Sequence, residues 1–312
     1  MKAATVADGR IEVREHPDPV PGYGQVLVRV RAAGLNGADL IQMRGHYPAP
    51  PGSPPDIPGL ELAGEVVALG PGATRFRTGD RVMAVVGGGG QAELAVVHER
   101  EAMPVPAGTG WPEAGGFPEV FTTAHDALFT QADLAMGERL LVQGAAGGVG
   151  TAGVQLGVAA GAAVVASVRD PARREDVARL GALAVSPDDV AVNGPYDVVL
   201  ELVGGPNITT DLQALGVGGR VAVIGTGAGT TADLDLRVLM GKRARIHGST
   251  LRARPMEAKA RAARLVEAHV IPLLARGAVK VPVCDTFSLD DAPLAYERFA
   301  AGSKLGKIVL LA

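Results

Sequence analysis

The feature that most constrains the fold of this chain is a glycine-rich turn between an apolar strand and an apolar helix. The run Gly144-Ala145-Ala146-Gly147-Gly148-Val149-Gly150 follows Leu140-Leu141-Val142 and opens a long stretch without charge. Backbone N–H groups in such a turn approach a pyrophosphate closely, and the N-terminus of the next helix adds partial positive charge. The order of strand, turn and helix predicts a dinucleotide site formed by all seven residues. The alternative is a tight turn that binds no ligand.

The strand expected after that helix decides between the two nicotinamide dinucleotides. A site for NAD has an acid about twenty residues after the glycines, where it binds the ribose hydroxyls. Ser167 stands at that place, and Arg169 and Arg173 follow with the donors that a 2′-phosphate needs. We therefore predict that NADPH is the cofactor and that these three residues bind it. The arginines could instead form a solvated helix face.

Asp170 is the competing observation, because an acid at the end of this strand could bind a ribose. Pro171 and a predicted helix follow it directly. The plainer interpretation is that Asp170 is the N-cap of that helix and that proline occupies its first turn.

Two kinds of pattern divide the chain. Up to residue 112, short runs such as 25–31 alternate polar and apolar residues, which is typical of half-buried strands. From residue 113 onward, strands and helices alternate, which indicates a parallel α/β sheet. Residues 255–275 are predicted to form one amphipathic helix. We predict an α/β protein in which residues 1–112 and 253–312 form a β-rich domain and residues 113–252 form a doubly wound nucleotide-binding domain.

The composition argues against several classes of function. A net charge of −3 offers no basic surface for a phosphate backbone, so we expect no nucleic-acid partner. The single cysteine, Cys284, is expected to be a small buried residue; neither it nor the six scattered histidines have metal-ligand spacing, so we expect no metal. No stretch reaches the ~20 strongly apolar residues of a membrane span. The N-terminus lacks the apolar run of a signal peptide, and we expect a cytoplasmic protein without membrane contact.

Motifs along the whole chain resemble one family. The run Gly137 to Gln155 is similar to the signature of the zeta-crystallin-like quinone oxidoreductases, a zinc-free branch of the medium-chain dehydrogenase/reductase superfamily. Further motifs follow in the order of that family: Gly34-Leu35-Asn36-Gly37-Ala38-Asp39, Arg44-Gly45-x-Tyr47-Pro48, Pro58-Gly59-Leu60-Glu61, Gly79-Asp80-Arg81-Val82, Gly88-Gly89-Gly90-Gln91-Ala92-Glu93 and Gly306-Lys307-Ile308-Val309-Leu310. The segment Gly248 to Arg254 is most similar to the p53-inducible quinone oxidoreductase branch.

The resemblance implies a fold and a reaction. The fold is a GroES-like β-rich domain plus a Rossmann domain, with the active site in the cleft between them, usually in a homodimer or homotetramer. The reaction is the NADPH-dependent reduction of a quinone. Two alternatives stay open, namely reduction of an enone, alkenal or enoyl group, and a structural protein that binds NADPH without catalysis. Because residues 183–195 are a shorter stretch than the family often has, one crossover helix is expected to be short or missing.

The resemblance places Tyr47 and Asn36 in the catalytic cleft. Hydrogen bonds from such side chains to the acceptor oxygen stabilise the charge that develops there. The structural alternatives are a loop anchor for Tyr47 and a turn residue for Asn36.

The resemblance also implies further cofactor contacts. Thr123 matches a position near the nicotinamide, Gly225 and Thr226 lie where the chain passes its ribose, and Lys304 approaches the cofactor from the C-terminal segment. The structural alternatives are a helix N-terminal cap for Thr123 and a solvated side chain for Lys304.

Zinc alcohol dehydrogenases of the same superfamily have a cysteine where Asn36 stands and a histidine where Leu60 stands. Without a Lewis acid, an enzyme has no good means of stabilising an alkoxide. An acceptor that is already electron-poor can accept hydride without activation by a metal. The resemblance therefore favours reduction of such an acceptor over oxidation of an alcohol.

Overall fold

The computed structural model describes residues 1–312 and contains two compact units. The β-rich unit comprises Met1–Thr122, Leu251–Gly302 and Lys307–Ala312. The parallel-sheet unit comprises Thr123–Thr250 and Ser303–Gly306. The chain therefore forms the first part of the β-rich unit, then most of the parallel-sheet unit, and returns to the β-rich unit at Leu251, apart from the four residues Ser303–Gly306.

The N-terminal part of the β-rich unit consists of short strands separated by turns. Its strands are β1 (Lys2–Ala7), β2 (Arg10–Glu15), β3 (Gln25–Gly34), β4 (Glu61–Leu69), β5 (Arg81–Val85), β6 (Leu94–His98) and β7 (Ala102–Pro104). Its helices are α1 (Gly37–Met43), α2 (Trp111–Gly115) and the start of α3 (Pro118–His125). The alternation predicted for residues 25–31 is present in β3, where Val26, Val28 and Val30 all point into the core.

The parallel-sheet unit alternates strands and helices, as its sequence pattern predicts. Its strands are β8 (Arg139–Val142), β9 (Ala163–Ser167), β10 (Leu183–Val185), β11 (Tyr196–Glu201), β12 (Leu215–Val223) and β13 (Arg245–Gly248). A π-helix spans Asp126–Gln131 directly after α3, and the α-helices that follow are α4 (Gly148–Ala159), α5 (Arg174–Ala178), α6 (Gly205–Ala214) and α7 (Leu236–Lys242). The strands are parallel in the order β10-β9-β8-β11-β12-β13. The order reverses between β8 and β11, and in doubly wound sheets the ligand crevice lies at the carboxyl ends of the strands at such a point.

The expectation of a reduced crossover is confirmed in this sheet. Between β10 and β11 the chain makes only two single-turn 3₁₀ helices, at Pro187–Asp189 and Ala191–Asn193.

The C-terminal part of the β-rich unit completes its sheet. It contains α8 (Met256–His269), α9 (Ile271–Ala275), β14 (Val283–Ser288), α10 (Ala292–Ala300) and β15 (Lys307–Leu311). The strand β15 lies between β14 and β3 in the order β14-β15-β3-β4-β5-β7, and β6 pairs with β3. The prediction of one helix over residues 255–275 is wrong, because Pro272 cannot donate to the preceding turn and its ring clashes with that turn.

Each unit has a core of its own. Val28, Leu62 and Val82 belong to the core of the β-rich unit, whereas Leu141 and Val199 belong to that of the parallel-sheet unit. The expectation for Cys284 is wrong, because it is an outward-facing residue of β14 and is exposed. None of the helices has both the length and the apolar character that crossing a membrane requires.

Candidate functional site

The glycine-rich turn has the geometry of a dinucleotide cradle. Strand β8 ends at Val142, the turn follows, and α4 begins at Gly148. Gly144 has a positive φ of 65°, which favours glycine. A Cβ atom on Gly150 would lie 2.5 Å from the carbonyl oxygen of Gly144, so only glycine lets the helix pass this close to the turn. The accessible backbone of the turn, at the N-terminus of a 12-residue helix, fits the pyrophosphate of a nicotinamide dinucleotide.

The short C-terminal segment of the parallel-sheet unit runs beside this turn. The backbone N–H of Gly306 donates to the carbonyl oxygen of Ala146 at 2.9 Å. The ammonium of Lys304 donates to the carbonyl oxygen of Gly306 at 3.1 Å. Lys304 is therefore held close to the glycine-rich turn.

The end of β9 combines a small polar residue with a helix cap. Ser167 is the last residue of the strand and is buried. The carboxylate of Asp170 accepts from the backbone N–H of Ala172 at 3.0 Å and from the hydroxyl of Ser303 at 2.5 Å. The interpretation of Asp170 as an N-cap is confirmed, and both carboxylate oxygens have partners within the protein.

The two arginines predicted to bind a 2′-phosphate differ in availability. Arg169 is exposed and forms no ion pair. Arg173 is half-buried, lies 3.5 Å from a carboxylate oxygen of Asp176, and donates to the carbonyl oxygen of Ser303 at 3.3 Å. Arg169 is thus the guanidinium that is open to a ligand, while Arg173 holds the C-terminal segment.

The remaining predicted cofactor residues also lie in the parallel-sheet unit. Gly225 follows the end of β12, and a Cβ atom there would lie 2.3 Å from the carbonyl oxygen of Leu202. Thr226 is exposed beside it. Thr123 lies inside α3, near its C-terminal end, so its alternative role as an N-terminal helix cap is wrong.

A pair of buried carboxyl groups, Glu201 and Asp211, belongs to the same unit. The side chain of Gln143, which directly precedes Gly144, donates to Asp211 at 2.7 Å. Glu201 accepts from the backbone N–H of Gly204 at 2.7 Å. Burial, and then the neighbouring Glu201, raise the pKa of Asp211 to about 9. No sequence signal pointed to this pair, because Glu201 ends β11 and Asp211 lies in α6, and only the fold brings the two carboxyl groups together.

In the β-rich unit, the side chain of Asn36 is anchored by a buried ion pair. The ammonium of Lys307 lies 2.6 Å from a carboxylate oxygen of Glu61, with side-chain exposures of 2% and 0%. Lys307 also donates to the side-chain oxygen of Asn36 at 2.8 Å. The amide nitrogen of Asn36 donates to Glu61 at 2.9 Å and to the carbonyl oxygen of Gly34 at 3.3 Å. Every polar atom of the Asn36 side chain therefore has a partner within the protein.

The same network extends into α1. The carboxylate of Asp39 accepts from the backbone N–H of Asn36 at 2.8 Å, which closes a capping box at the start of the helix. It also accepts from Gly59 and from Gln91. Burial raises the pKa of Asp39 to about 6, although the hydrogen bonds from the backbone of Asn36 and Gly59 and the charge of Lys307 oppose the rise.

Tyr47 lies in the Pro-rich loop, which contains no helix or strand between Met43 and Glu61. Its ring is half-buried, and the guanidinium carbon of Arg252 lies 4.8 Å from the ring centre. Burial and then Glu119 raise the pKa of the Tyr47 hydroxyl, whereas Arg252 lowers it. No side chain or backbone group of the protein forms a hydrogen bond with this hydroxyl.

Three residues of this unit gained their roles only from the structure. Glu61, Lys307 and Arg252 all lie in motifs that carry the family resemblance, yet nothing in the motifs says that they anchor Asn36 and Tyr47. A charged residue inside an apolar strand, such as Lys307 in Gly306-Lys307-Ile308-Val309, is the one signal that could have singled out a buried ion pair.

The residues around Asn36 do not fit a zinc ion. No group of three or more His, Cys, Asp or Glu side chains is arranged to hold a metal. At the position of the usual cysteine, the side chain of Asn36 directs its N–H groups at Glu61 and its oxygen at a buried ammonium. An ammonium at that distance repels a cation.

Comparison with protein families agrees with this architecture. Residues 22–130 match the alcohol dehydrogenase GroES-like domain. Residues 148–268 match the family described as zinc-binding dehydrogenase. An alcohol dehydrogenase superfamily protein from Novosphingobium aromaticivorans superimposes with a TM-score of 0.88 at 30% identity, over 100% of this chain and 99% of that one. The predicted combination of a GroES-like and a Rossmann domain is thus confirmed.

Two kinds of curated relative match nearly the whole chain. The quinone oxidoreductase of Rattus norvegicus is 30% identical over 309 residues, which cover 94% of this chain and 91% of the relative. Polyketide synthase GfsB of Streptomyces halstedii is 34% identical over 293 residues, which cover 92% of this chain but only 5% of that much longer protein. Together with the two domains and the nicotinamide dinucleotide cradle, these matches show that the chain belongs to the medium-chain dehydrogenase/reductase family of oxidoreductases.

Proposed function

We propose that the protein reduces quinones with NADPH and without zinc. The observation that carries the proposal is the Lys307–Glu61 ion pair around Asn36, because it puts a fixed ammonium where a zinc-dependent relative needs a metal ligand. The relationship to quinone oxidoreductases over 94% of the chain supports the choice of acceptor.

The bound cofactor would supply a hydride from its nicotinamide. The N–H groups of residues 144–150 would bind the pyrophosphate, and Thr123, Gly225 and Thr226 would line the nicotinamide and its ribose. Ser167, Arg169 and Arg173 would bind the adenosine end, and Lys304 would approach the cofactor beside the glycine-rich turn. Of these, the exposed and unpaired Arg169 would make the main contact with the 2′-phosphate.

In the β-rich unit, Tyr47 would contact the acceptor and Asn36 would support the site. The Tyr47 hydroxyl is free to donate to the acceptor oxygen, which gains negative charge as hydride arrives. The side chain of Asn36 has its donors on Glu61 and Gly34, so it would shape the site and accept one further hydrogen bond at most.

The first experiment follows loss of the reduced-nicotinamide absorbance with an ortho-naphthoquinone, phenanthrenequinone and a simple enone as parallel acceptors. We expect turnover with both quinones, preference for NADPH over NADH, and a fall in kcat of about 10²-fold in Tyr47→Phe. Turnover of the enone alone would replace the substrate class. NADPH binding without turnover of any acceptor would mean that the protein binds the cofactor without catalysis.

The second candidate function is reduction of an enone, alkenal or enoyl group. The 34% identity to a part of a polyketide synthase favours it, because the match extends over 92% of this chain. Both candidates use the same cofactor site and the same Tyr47 donor, so the panel of acceptors separates them.

A mutation of Arg169 tests the choice of cofactor. Arg169→Ala should raise the KM for NADPH about tenfold or more and leave the KM for NADH almost unchanged, because only NADPH has a phosphate for this guanidinium. Arg179→Ala is the matched control, since Arg179 is also exposed but pairs with Glu175 and Asp176 on α5. Equal effects of Arg169→Ala on both cofactors would refute the assignment.

Two expectations, one from the character of the N-terminus and one from the family resemblance, stay predictions. They are a cytoplasmic location and a homodimer or homotetramer, and analytical ultracentrifugation of the purified protein tests the second.

A further inference from the structure

Arg252 joins three separate segments of the β-rich unit. Its side chain is 4% exposed and donates three hydrogen bonds. Nε donates to the carbonyl oxygen of Gly87 at 2.8 Å, Nη1 to the carbonyl oxygen of Tyr47 at 2.8 Å, and Nη2 to the side-chain oxygen of Gln42 at 2.6 Å. The partners belong to the glycine run after β5, to the Pro-rich loop and to α1. A planar guanidinium can meet acceptors in three directions at once, and an ammonium on a flexible stem cannot hold this arrangement.

The same guanidinium also contacts the ring of Tyr47. Its central carbon lies 4.8 Å from the ring centre, within the range of a cation–π contact. One side chain thus fixes both the backbone and the ring of Tyr47 in a loop without regular secondary structure. The Tyr47 hydroxyl, which would otherwise follow any movement of that loop, is held in one place.

We propose that Arg252 is the positioning residue for Tyr47. It holds the phenol where the acceptor oxygen must arrive, and its positive charge keeps the phenol a stronger hydrogen-bond donor than burial alone would allow. The inference rests on the proposed function for its kinetic consequences, but the link between Arg252 and Tyr47 can be measured without any turnover.

The charges around Tyr47 explain why an arginine is needed here. Burial and then the negative charge of Glu119 raise the pKa of the Tyr47 phenol, while the charge of Arg252 opposes both. Asp39 is a further acid whose charge acts on Arg252. Without the guanidinium, the phenol would lie in an apolar and negative environment, where it donates less readily to an oxygen that is gaining charge.

The kinetic test compares Arg252→Lys and Arg252→Met with the wild type, alone and combined with Tyr47→Phe. We expect kcat/KM for a quinone to fall about tenfold in Arg252→Lys and about 10²-fold in Arg252→Met, mainly through kcat, because small misplacements of a catalytic group cost this much. In the Tyr47→Phe background, Arg252→Met should lower kcat further by less than about twofold, as residues that act as a unit are not additive. An equal loss in both backgrounds would overturn the proposal.

Arg81→Met is the matched control. Arg81 also stacks on an aromatic ring of this unit, at 4.0 Å from the ring centre of Trp111, and donates to a carbonyl oxygen, that of Thr109. The substitution Arg81→Met therefore removes a stacked arginine comparable to Arg252, but one that does not contact Tyr47. A loss of kcat in Arg81→Met as large as in Arg252→Met would mean that general destabilisation, and not positioning of Tyr47, lowers the rate.

A spectroscopic titration tests the link even if no acceptor is turned over. The chain has four tyrosines, so the protein labelled with ¹³C at the tyrosine Cζ atoms gives four resonances, and Tyr47→Phe identifies that of Tyr47. We expect the pKa of Tyr47 to be higher in Arg252→Met than in the wild type, because the guanidinium lowers that pKa. An unchanged titration of Tyr47 would overturn the proposal. If Arg252→Met does not fold, Arg252→Lys takes its place. Lysine keeps the positive charge but lacks the planar set of N–H donors, so the pKa of Tyr47 should stay near the wild-type value while kcat still falls.

Discussion

Asn36, Glu61 and Lys307 show how little a residue's type says about its role until its partners are known. The family resemblance predicts that Asn36 contacts the acceptor, and the structure surrounds its side chain with protein partners. The pair that holds it is more than nine-tenths buried, and removing one member of such a pair leaves an uncompensated charge in the interior. The hydroxyl of Tyr47, by contrast, has no hydrogen-bond partner in the protein. Of the two residues predicted to contact the acceptor, Tyr47 is therefore the one with a donor available.

Asp211 gives a prediction about pH and stability at the same scale. Its pKa is about 9 in the folded protein and 3.8 in the unfolded chain, so the folded state binds more protons between these values. The free energy of unfolding should therefore fall as the pH rises through this window, by up to about 1.4 kcal/mol per pH unit from this group. In Asp211→Asn the side chain cannot titrate, and this part of the slope should vanish.

Denaturant unfolding from pH 4 to pH 9 measures that slope. Asp233→Asn, which alters an exposed acid of the same unit, serves as the control and should keep the wild-type slope. Identical slopes for the wild type and Asp211→Asn would show that Asp211 does not hold its proton in the folded state.

At the scale of elements, the first turn of α4 packs closely against the glycine-rich turn because residue 150 is a glycine. Gly150→Ala should destabilise the protein by about 1–3 kcal/mol and weaken NADPH binding, since the added Cβ would lie 2.5 Å from the Gly144 oxygen and force the turn away from the helix. Thermal unfolding with and without NADPH measures both effects.

Gly241→Ala is the matched control for that prediction. Gly241 lies within α7, and a Cβ atom there meets nothing within 4 Å. Alanine should therefore stabilise the protein by about 0.5–1 kcal/mol through helix propensity alone. A destabilisation of the same size in both variants would show that the close approach at Gly150 is not the cause.

At the scale of the whole molecule, the last strand completes the unit that the first residues begin. Ile308 of β15 is fully buried in a cluster with Leu310 and Tyr296. Ile308→Ala should cost about 2–5 kcal/mol of stability in the β-rich unit, whereas Leu311→Ala, at 37% exposure, should change it by about 0.5 kcal/mol or less. Calorimetry measures the transitions, and cofactor fluorescence measures NADPH binding. If Ile308→Ala bound NADPH much more weakly at temperatures where the β-rich unit is still folded, the conclusion that each unit has a core of its own would be contradicted.

The sequence determined the local features of this protein. It placed the strand, turn and helix of the cradle, the N-cap at Asp170, the missing crossover helix and the family itself, because each depends on neighbours along the chain. The prediction of one helix over residues 255–275 failed for an equally local reason, because the amphipathic pattern continues through Pro272, a residue that breaks helices.

Only the tertiary structure decided which side chains share a buried site. Lys307 meets Glu61 and Asn36 across more than 240 positions of sequence, Arg252 meets Tyr47 across 205, and Asp211 meets Gln143 across 68. Periodicity reports burial but carries no information about which distant residues become neighbours. The desolvation and pairing that set the chemistry of a buried group depend on those neighbours, and so they exist only in the folded chain.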